Sequence, residues 1–166
     1  MAARMHFDEQ LKQLNSELLK MGSLIENAIK GATTALIEND KRKARRVIEN
    51  DVMVNRQEKD IESLCLKLLL QQQPVARDLR SISAALKMIT DMERIGDQAA
   101  DICEIMISGK DPLPLDKVAH LDNMALATVK MVNGAIDAFV ERNVEFARAV
   151  MEEDDIVDEL FDKVRD

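Results

Sequence analysis

Residues 7–35 read FDEQLKQLNSELLKMGSLIENAIKGATTA, and in them Phe7, Leu11, Leu14, Leu18, Met21, Ile25, Ala28, Ala32 and Ala35 fall at alternating steps of four and three. That spacing is one apolar stripe running along a helix of many turns. The composition points the same way. Of 166 residues five are Gly and three are Pro, none is Trp or Tyr, and aromatics make up 2%. Strand and turn formers are too scarce for a sheet, while 46% hydrophobic residues suffice to bury a core.

Working outward, the break at Glu38-Asn39 leaves Asp40 placed to cap a second helix. Its stripe is Ala44, Val47, Asp51, Val54, Glu58, Ile61, Cys65 and Leu68. A third helix is expected to carry Pro74 in its first turn, where a missing N–H does no harm. Its stripe runs Val75, Leu79, Ile82, Leu86, Ile89, Glu93, Gly96, Ala100 and Cys103, and a neighbouring line (Ala85, Met88, Met92, Ile95, Ala99, Ile102) gives it two packing partners. Ser108–Pro114 reads as a linker. A fourth pattern (Val118, Leu121, Ala125, Thr128, Val132, Ala135, Phe139) and a fifth (Ala147, Val150, Asp154, Val157, Phe161, Val164) follow, with Asn143 in the turn between them.

The last two patterns repeat the first two at a constant offset. Gly31 recurs as Gly134, Ala35 as Ala138, Glu38 as Glu141, Arg45 as Arg148, Asp51 as Asp154 and Val54 as Val157. Agreement without a gap through two helices and their turn marks an internal duplication. A counterpart of Glu93 lies beyond the sequence. The expected fold is therefore all-α: tandem three-helix bundles of long antiparallel helices, the first spanning 1–109 and the second a partial repeat of two helices over 115–166, incomplete in this chain. Its missing sixth helix is expected either to be lost by truncation or to be supplied by another chain, since open apolar stripes favour association.

Charge and cysteines narrow the function. With 23 basic and 31 acidic residues the net charge is −8. Nucleic acid and anionic lipid are thus excluded as direct partners, and phosphate is expected to reach the chain only through a bound metal. No apolar run approaches a membrane span and no signal-peptide core opens the chain, which predicts a cytoplasmic protein. Cys65 and Cys103 are expected far apart along the bundle, as inert core thiols without a disulfide. His6 and His120 lack the Glu-x-x-His spacing of di-iron bundles, and there is no Gly-rich phosphate loop, Gly-x-Ser-x-Gly elbow or Cys-x-x-Cys pair. The basic run Lys41–Arg46 reads as a solvated face, or else as a docking patch for an acidic partner.

The chemistry lies in acids on apolar seams. Asp51, Glu58 and Glu93 stand where the period calls for Leu or Ile. A buried lone carboxylate is costly and needs a cation, a proton or several donors. If the second and third helices reverse near Gln72-Gln73, Asp51 is level with Glu93, with Asn55 and Asp97 each one turn away on their own helices. Oxygen ligands at i and i+4 on two facing helices suit a hard or borderline cation such as Mg²⁺, Mn²⁺ or iron. The small residues Ala28 and Gly31 face them from the first helix and leave room. Glu58 is level with Lys87, which predicts an ordinary ion pair. The bland alternative is that the acids set register or pair with a cation such as Arg94. From the residues alone both readings stand.

The run LLLQQQPVARDLR at 68–80, with Leu86-Lys87-Met88, with Asp91-Met92-Glu93-Arg94-Ile95-Gly96-Asp97, and with Phe7-Asp8-x-x-Leu11 through Met21–Ile29, resembles the PhoU family over essentially the whole chain. The resemblance implies two similar three-helix bundles, each with an acidic (Glu/Asp)-x-x-x-Asp metal motif. It implies that Glu93 and Asp97 are the third-helix motif and Asp51 the second-helix acid. Asn55 stands where Asp is usual; it keeps an oxygen but loses a charge, which weakens the first site. Asp154 and Asp158 match the second-helix pair of the other bundle, without third-helix partners. The implied cofactor is a divalent or trivalent metal ion (Mg, Mn, Fe or Zn). The implied role is a non-enzymatic, cytoplasmic accessory protein of the high-affinity phosphate ABC transporter that damps phosphate uptake and starvation signalling. Its implied partners are the transporter ATPase and a sensor histidine kinase, with a second copy of itself in a homodimer or larger oligomer. The membrane is reached only peripherally, through those partners. The alternative from another class is a carboxylate-rich metal-binding or storage bundle; a carboxylate-metal hydrolase lacks any nucleophile or base beyond the ligands.

Overall fold

A computed structural model describes residues 1–71, 74–112 and 114–166. Six helices follow in order: α1 (Ala2–Glu38), α2 (Lys41–Gln71), α3 (Ala76–Ser108), α4 (Leu115–Glu141), α5 (Val144–Glu152) and α6 (Asp154–Arg165). There is no strand among the described residues. The first three form an antiparallel bundle closed by the stripes read from sequence. Leu14, Leu18, Met21 and Ile25 of α1 meet Val54, Ile61, Cys65 and Leu68 of α2 and Ile82, Ala85, Ile89 and Met92 of α3 in one buried core. The turn expected at Gln72-Gln73, and Leu113 of the expected linker, lie outside the described residues.

The start of α3 departs from expectation. Pro74 precedes the helix instead of sitting in its first turn; Val75 is the N-cap, with extended backbone, and its carbonyl accepts the first helical bond, from Leu79 N–H. The buried face begins with Asp78, while Val75 and Leu79 are exposed. Asp78 is a first-turn residue, where the unpaired amides of the helix end favour negative charge. Its Oδ2 accepts a hydrogen bond of 2.8 Å from Arg4 Nη1, which ties the beginning of α1 to the beginning of α3. Arg4 in turn lies over the Phe7 ring, 5.2 Å from its centre.

The duplication is visible atom by atom. Asn39 ends α1 and Arg142 ends α4, both in the left-handed conformation, at φ 50° and 56°. Asp40 N–H donates to Ala35 O and Asn143 N–H to Ala138 O, each 2.9 Å. Asp40 Oδ1 then accepts from Lys43 N–H, as Asn143 Oδ1 accepts from Phe146 N–H. A Cβ on Gly31 would lie 2.8 Å from Val47 Cγ2, and one on Gly134 would lie 2.8 Å from Val150 Cγ2. Both hairpins thus rest on the same close approach. Replacing Asn143 by Ala removes one cap and is expected to cost about 1 kcal/mol in urea unfolding; an unchanged midpoint would show that the α4–α5 turn holds without it.

The second hairpin lies on the first bundle through α4. Gly22 of α1 admits Ile136, whose Cδ1 would be 2.6 Å from a Cβ there, and Asn133 Nδ2 donates to Glu26 Oε2 at 2.9 Å. Ile136, with Val132 and Phe139 beside it, completes the core of the first three helices. The expected fifth helix is interrupted at Glu153 and becomes α5 and α6. Four acids stand in a row from Glu152 to Asp155. A fresh start at Asp154 puts two of them in a first turn, where the helix end favours negative charge, and Lys130 Nζ holds Glu153 Oε1 at 2.6 Å. Cys65 and Cys103 are free and buried, and burial, aided by Glu62, pushes the Cys65 thiol up to about 11. Among the described residues no helix is long and apolar enough to cross a membrane.

Candidate metal centre

α2 and α3 run side by side, so that Asp51 and Asn55 on one helix face Glu93 and Asp97 on the other. All four are half-buried. The sequence allows the approach through Gly96. A Cβ there would lie 3.0 Å from Val54 Cγ1, 3.4 Å from Ile25 Cδ1 and 3.4 Å from Asp51 Oδ1. The tight neighbour at that position is Val54, while Asp51 Oδ1 stands at ordinary contact distance from it. On its other side Asp51 borders a cavity of about 260 Å³ between α1 and α2, together with Asn27, Ala28 and Asn50. Ala28 leaves the room expected of it. Gly31 does not, because Val47 fills its place.

The electrostatics are those of acids without a cation. Asn55 Nδ2 donates to Asp51 Oδ2 at 3.2 Å, while Asp51 Oδ1 is buried and has no hydrogen-bond partner. Burial raises the Asp51 carboxyl above its ordinary value, and the Asp97 carboxylate raises it further, against a smaller opposite pull from Asn55. Glu93 is raised by burial and then by Asp97. Asp97 is thus the acid that both others feel, and Asp51 meets Asp97 more closely than Glu93, with which it was expected to be level. Arg94 reaches Asp91, at 4.0 Å, instead of neutralising Glu93.

Glu58 corrects the sequence reading. Its expected partner Lys87 pairs with Asp91 on its own helix, Nζ to Oδ1 3.3 Å. Pairing at i,i+4 within α3 satisfies that lysine without crossing to α2. Glu58 is raised by burial and by Glu62 and Asp97, with Lys59 opposing, and its charge acts on Glu93 in turn. It belongs to the acidic neighbourhood, and its place on the Asp51–Val54–Glu58 stripe was the signal for that. Asp154 and Asp158 lie exposed on α6, and no described acid pair from a third helix faces them.

In donor type and charge this cluster fits a hard cation: all its donors are oxygens, one of them buried and bare. Asp51, Asn55, Glu93 and Asp97 are the residues that would hold it. As they stand, the acids meet in pairs about Asp97, and no group of three or more His, Cys, Asp or Glu among the described residues forms a ready ligand cage. Bound there, a cation would supply the positive charge that the buried oxygens lack.

The family model described as "PhoU domain" matches residues 18–106 and 121–166. The chain belongs to the PhoU family. It is 37% identical to the "Phosphate-specific transport system accessory protein PhoU homolog" of Clostridium acetobutylicum over 95% of its length, covering 73% of that protein. It is 34% identical to the Aquifex aeolicus homolog over 92% of its length, covering 69% of it. The Escherichia coli (strain K12) accessory protein PhoU is 30% identical over 95% of the chain, which spans 66% of that relative. Among solved structures, PhoU from Pseudomonas aeruginosa superposes with TM-score 0.83 at 32% identity, over 95% of this chain and 76% of that one. The phosphate transport system regulatory protein PhoU from Streptococcus pneumoniae gives TM-score 0.85 at 26% identity, over 95% and 74%. The PhoU helices α1–α3 and α4–α6 account for the two matched stretches.

Proposed function

We propose that this chain is a non-enzymatic, cytoplasmic accessory regulator of a phosphate ABC transporter. In this reading its helical surface docks on the transporter ATPase and on a sensor histidine kinase, restraining uptake and starvation signalling. The cluster of Asp51, Asn55, Glu93 and Asp97 takes up a hard metal ion that fixes α2 against α3 and so sets the shape of the docking surface. Asp154 and Asp158 are the matching donors of the second unit, short of a third-helix pair. Family membership and the names of the relatives support the transporter role. The bare buried Asp51 oxygen, in a cluster no cation neutralises, supports the metal.

The test is capture of the purified transporter ATPase and of the kinase's cytoplasmic part, with and without chelator. Capture is expected to fall on chelation and in Asp51→Ala/Glu93→Ala, and to persist in Glu49→Ala, an exposed acid on the same helix. Equal capture by all three proteins would divorce metal from partner choice. Elemental analysis of the dialysed chain addresses the storage alternative: about one equivalent is expected, and several would replace the regulatory reading.

A further inference from the structure

A second site is suggested at the other end of α3. An open hollow of about 480 Å³ lies between the first turns of α3 and the turn from α4 to α5. Arg77 and Arg80 line it from α3, and Arg142 lines it from the left-handed end of α4. None of its lining residues is acidic. No carboxylate of the described residues lies within 4.0 Å of any of the three guanidinium groups. Asp78, next to Arg77, is turned inward to Arg4, and Glu145 is taken by Arg148. In a chain with 31 acids, three arginines sharing one hollow without a counter-charge repel one another, and an anion relieves that repulsion.

The other polar groups are of the same kind. Asn143 and Val144 line the hollow at the start of α5. Asn143 already satisfies the amides of Phe146 and Ala147, which leaves the two earlier amides of the helix end without intrahelical acceptors. Met88, Ala138 and Phe139 add an apolar wall. We propose that this hollow binds the phosphoryl group of a small molecule, with the arginine forks on the oxygens and the apolar wall against whatever body the phosphoryl group carries. The overall −8 does not forbid it. Beyond a Debye length of about 8 Å exposed charges are screened, so the local trio governs what docks there. This runs against the expectation that phosphate needs a bound metal to reach the chain.

The experiment is calorimetric titration of the full chain, kept in chelator so that the acidic cluster carries no metal, with inorganic phosphate, tripolyphosphate and ATP in turn. Saturable binding is expected, weakening with added salt and by about tenfold in each of Arg80→Gln and Arg142→Gln. It should persist in Asp51→Asn/Glu93→Gln. Saturation by ATP alone assigns the phosphoryl group to a nucleotide; comparable saturation by phosphate or tripolyphosphate assigns it to the free oxyanion. The three arginines are exposed and pair with no acid among the described residues, so the variants should keep their helical spectrum. The ligand-induced rise in unfolding midpoint gives a second readout, which should vanish in the double arginine variant. No binding of any of the three compounds up to about 10 mM, or equal affinity in that double variant, overturns the proposal.

Discussion

Asp51→Asn combined with Glu93→Gln is expected to stabilise the metal-free chain and to erase its response to metal. Both carboxyls are raised, mainly by burial and then by the acid between them. An acid raised in the folded state holds its proton longer there than in the unfolded chain. Its favourable contribution is therefore complete below the unfolded value, about pH 4, and is lost as pH climbs through the raised folded value. As the acids ionise, the wild-type chain takes on their repulsion, and neutral isosteres that keep shape and oxygen atoms relieve it by about 1 kcal/mol. Wild-type stability should thus decline as pH rises above about 4 in chelator, and the decline should flatten in the double variant. Added Mn²⁺ or Mg²⁺ reverses the order: at a hundred times its dissociation constant a metal stabilises the wild type by about 2.7 kcal/mol and leaves the variant unmoved. Thermal unfolding across pH, with and without metal, reads both effects. A variant less stable than wild type in chelator would mean that the acids are satisfied without a cation.

Gly96→Val should do comparable damage by a different route. A Cβ alone would stand 3.0 Å from Val54 Cγ1 and 3.4 Å from Ile25 Cδ1 and Asp51 Oδ1, and valine adds two methyls beyond it. Val54 and Ile25 are buried, and Val54 can yield only toward the cavity between α1 and α2 that it lines. The strain expected is about 1–3 kcal/mol, with α2 pushed off α3 where Asp51 meets Asp97. Gly96→Ala is the control: its tight contact is offset by the roughly 1 kcal/mol that alanine gains over glycine inside a helix. Urea unfolding and metal titration of the two variants separate the outcomes. A valine variant with native stability and native metal response would show that the close approach at Gly96 is not what shapes the cluster.

Helix number and packing were legible because long stripes leave little choice. Phe7 through Ala35 cannot be buried except along one face, and the recurrence of Gly31 as Gly134 carried an entire turn geometry with it. What escaped depended on competition between near neighbours. Lys87 had Asp91 within its own helix as well as Glu58 across the seam, and periodicity cannot weigh the two. The stripe through Val150, Asp154 and Val157 continues past Glu153, and so does the right-handed backbone; what shifts there is the hydrogen-bond ladder, Glu153 N–H donating to Val150 O and Ile156 N–H to Glu153 O, which no hydrophobic pattern encodes. Asp78 was passed over for the same reason: its burial depends on Arg4, 74 residues away. In the candidate site, which helices and acids come together was readable, whereas the central position of Asp97 depends on side-chain reach that sequence numbers do not encode.

The interruption at Glu153 has a consequence for how the molecule breathes. α6 contains no buried residue, and Glu153 alone, with right-handed helical dihedrals, separates it from α5. It rests on α4 without entering the buried core, so its amide protons should exchange with solvent before those of α1–α3. The chain is thus expected to pair a slowly exchanging trunk with a terminal helix that opens more readily.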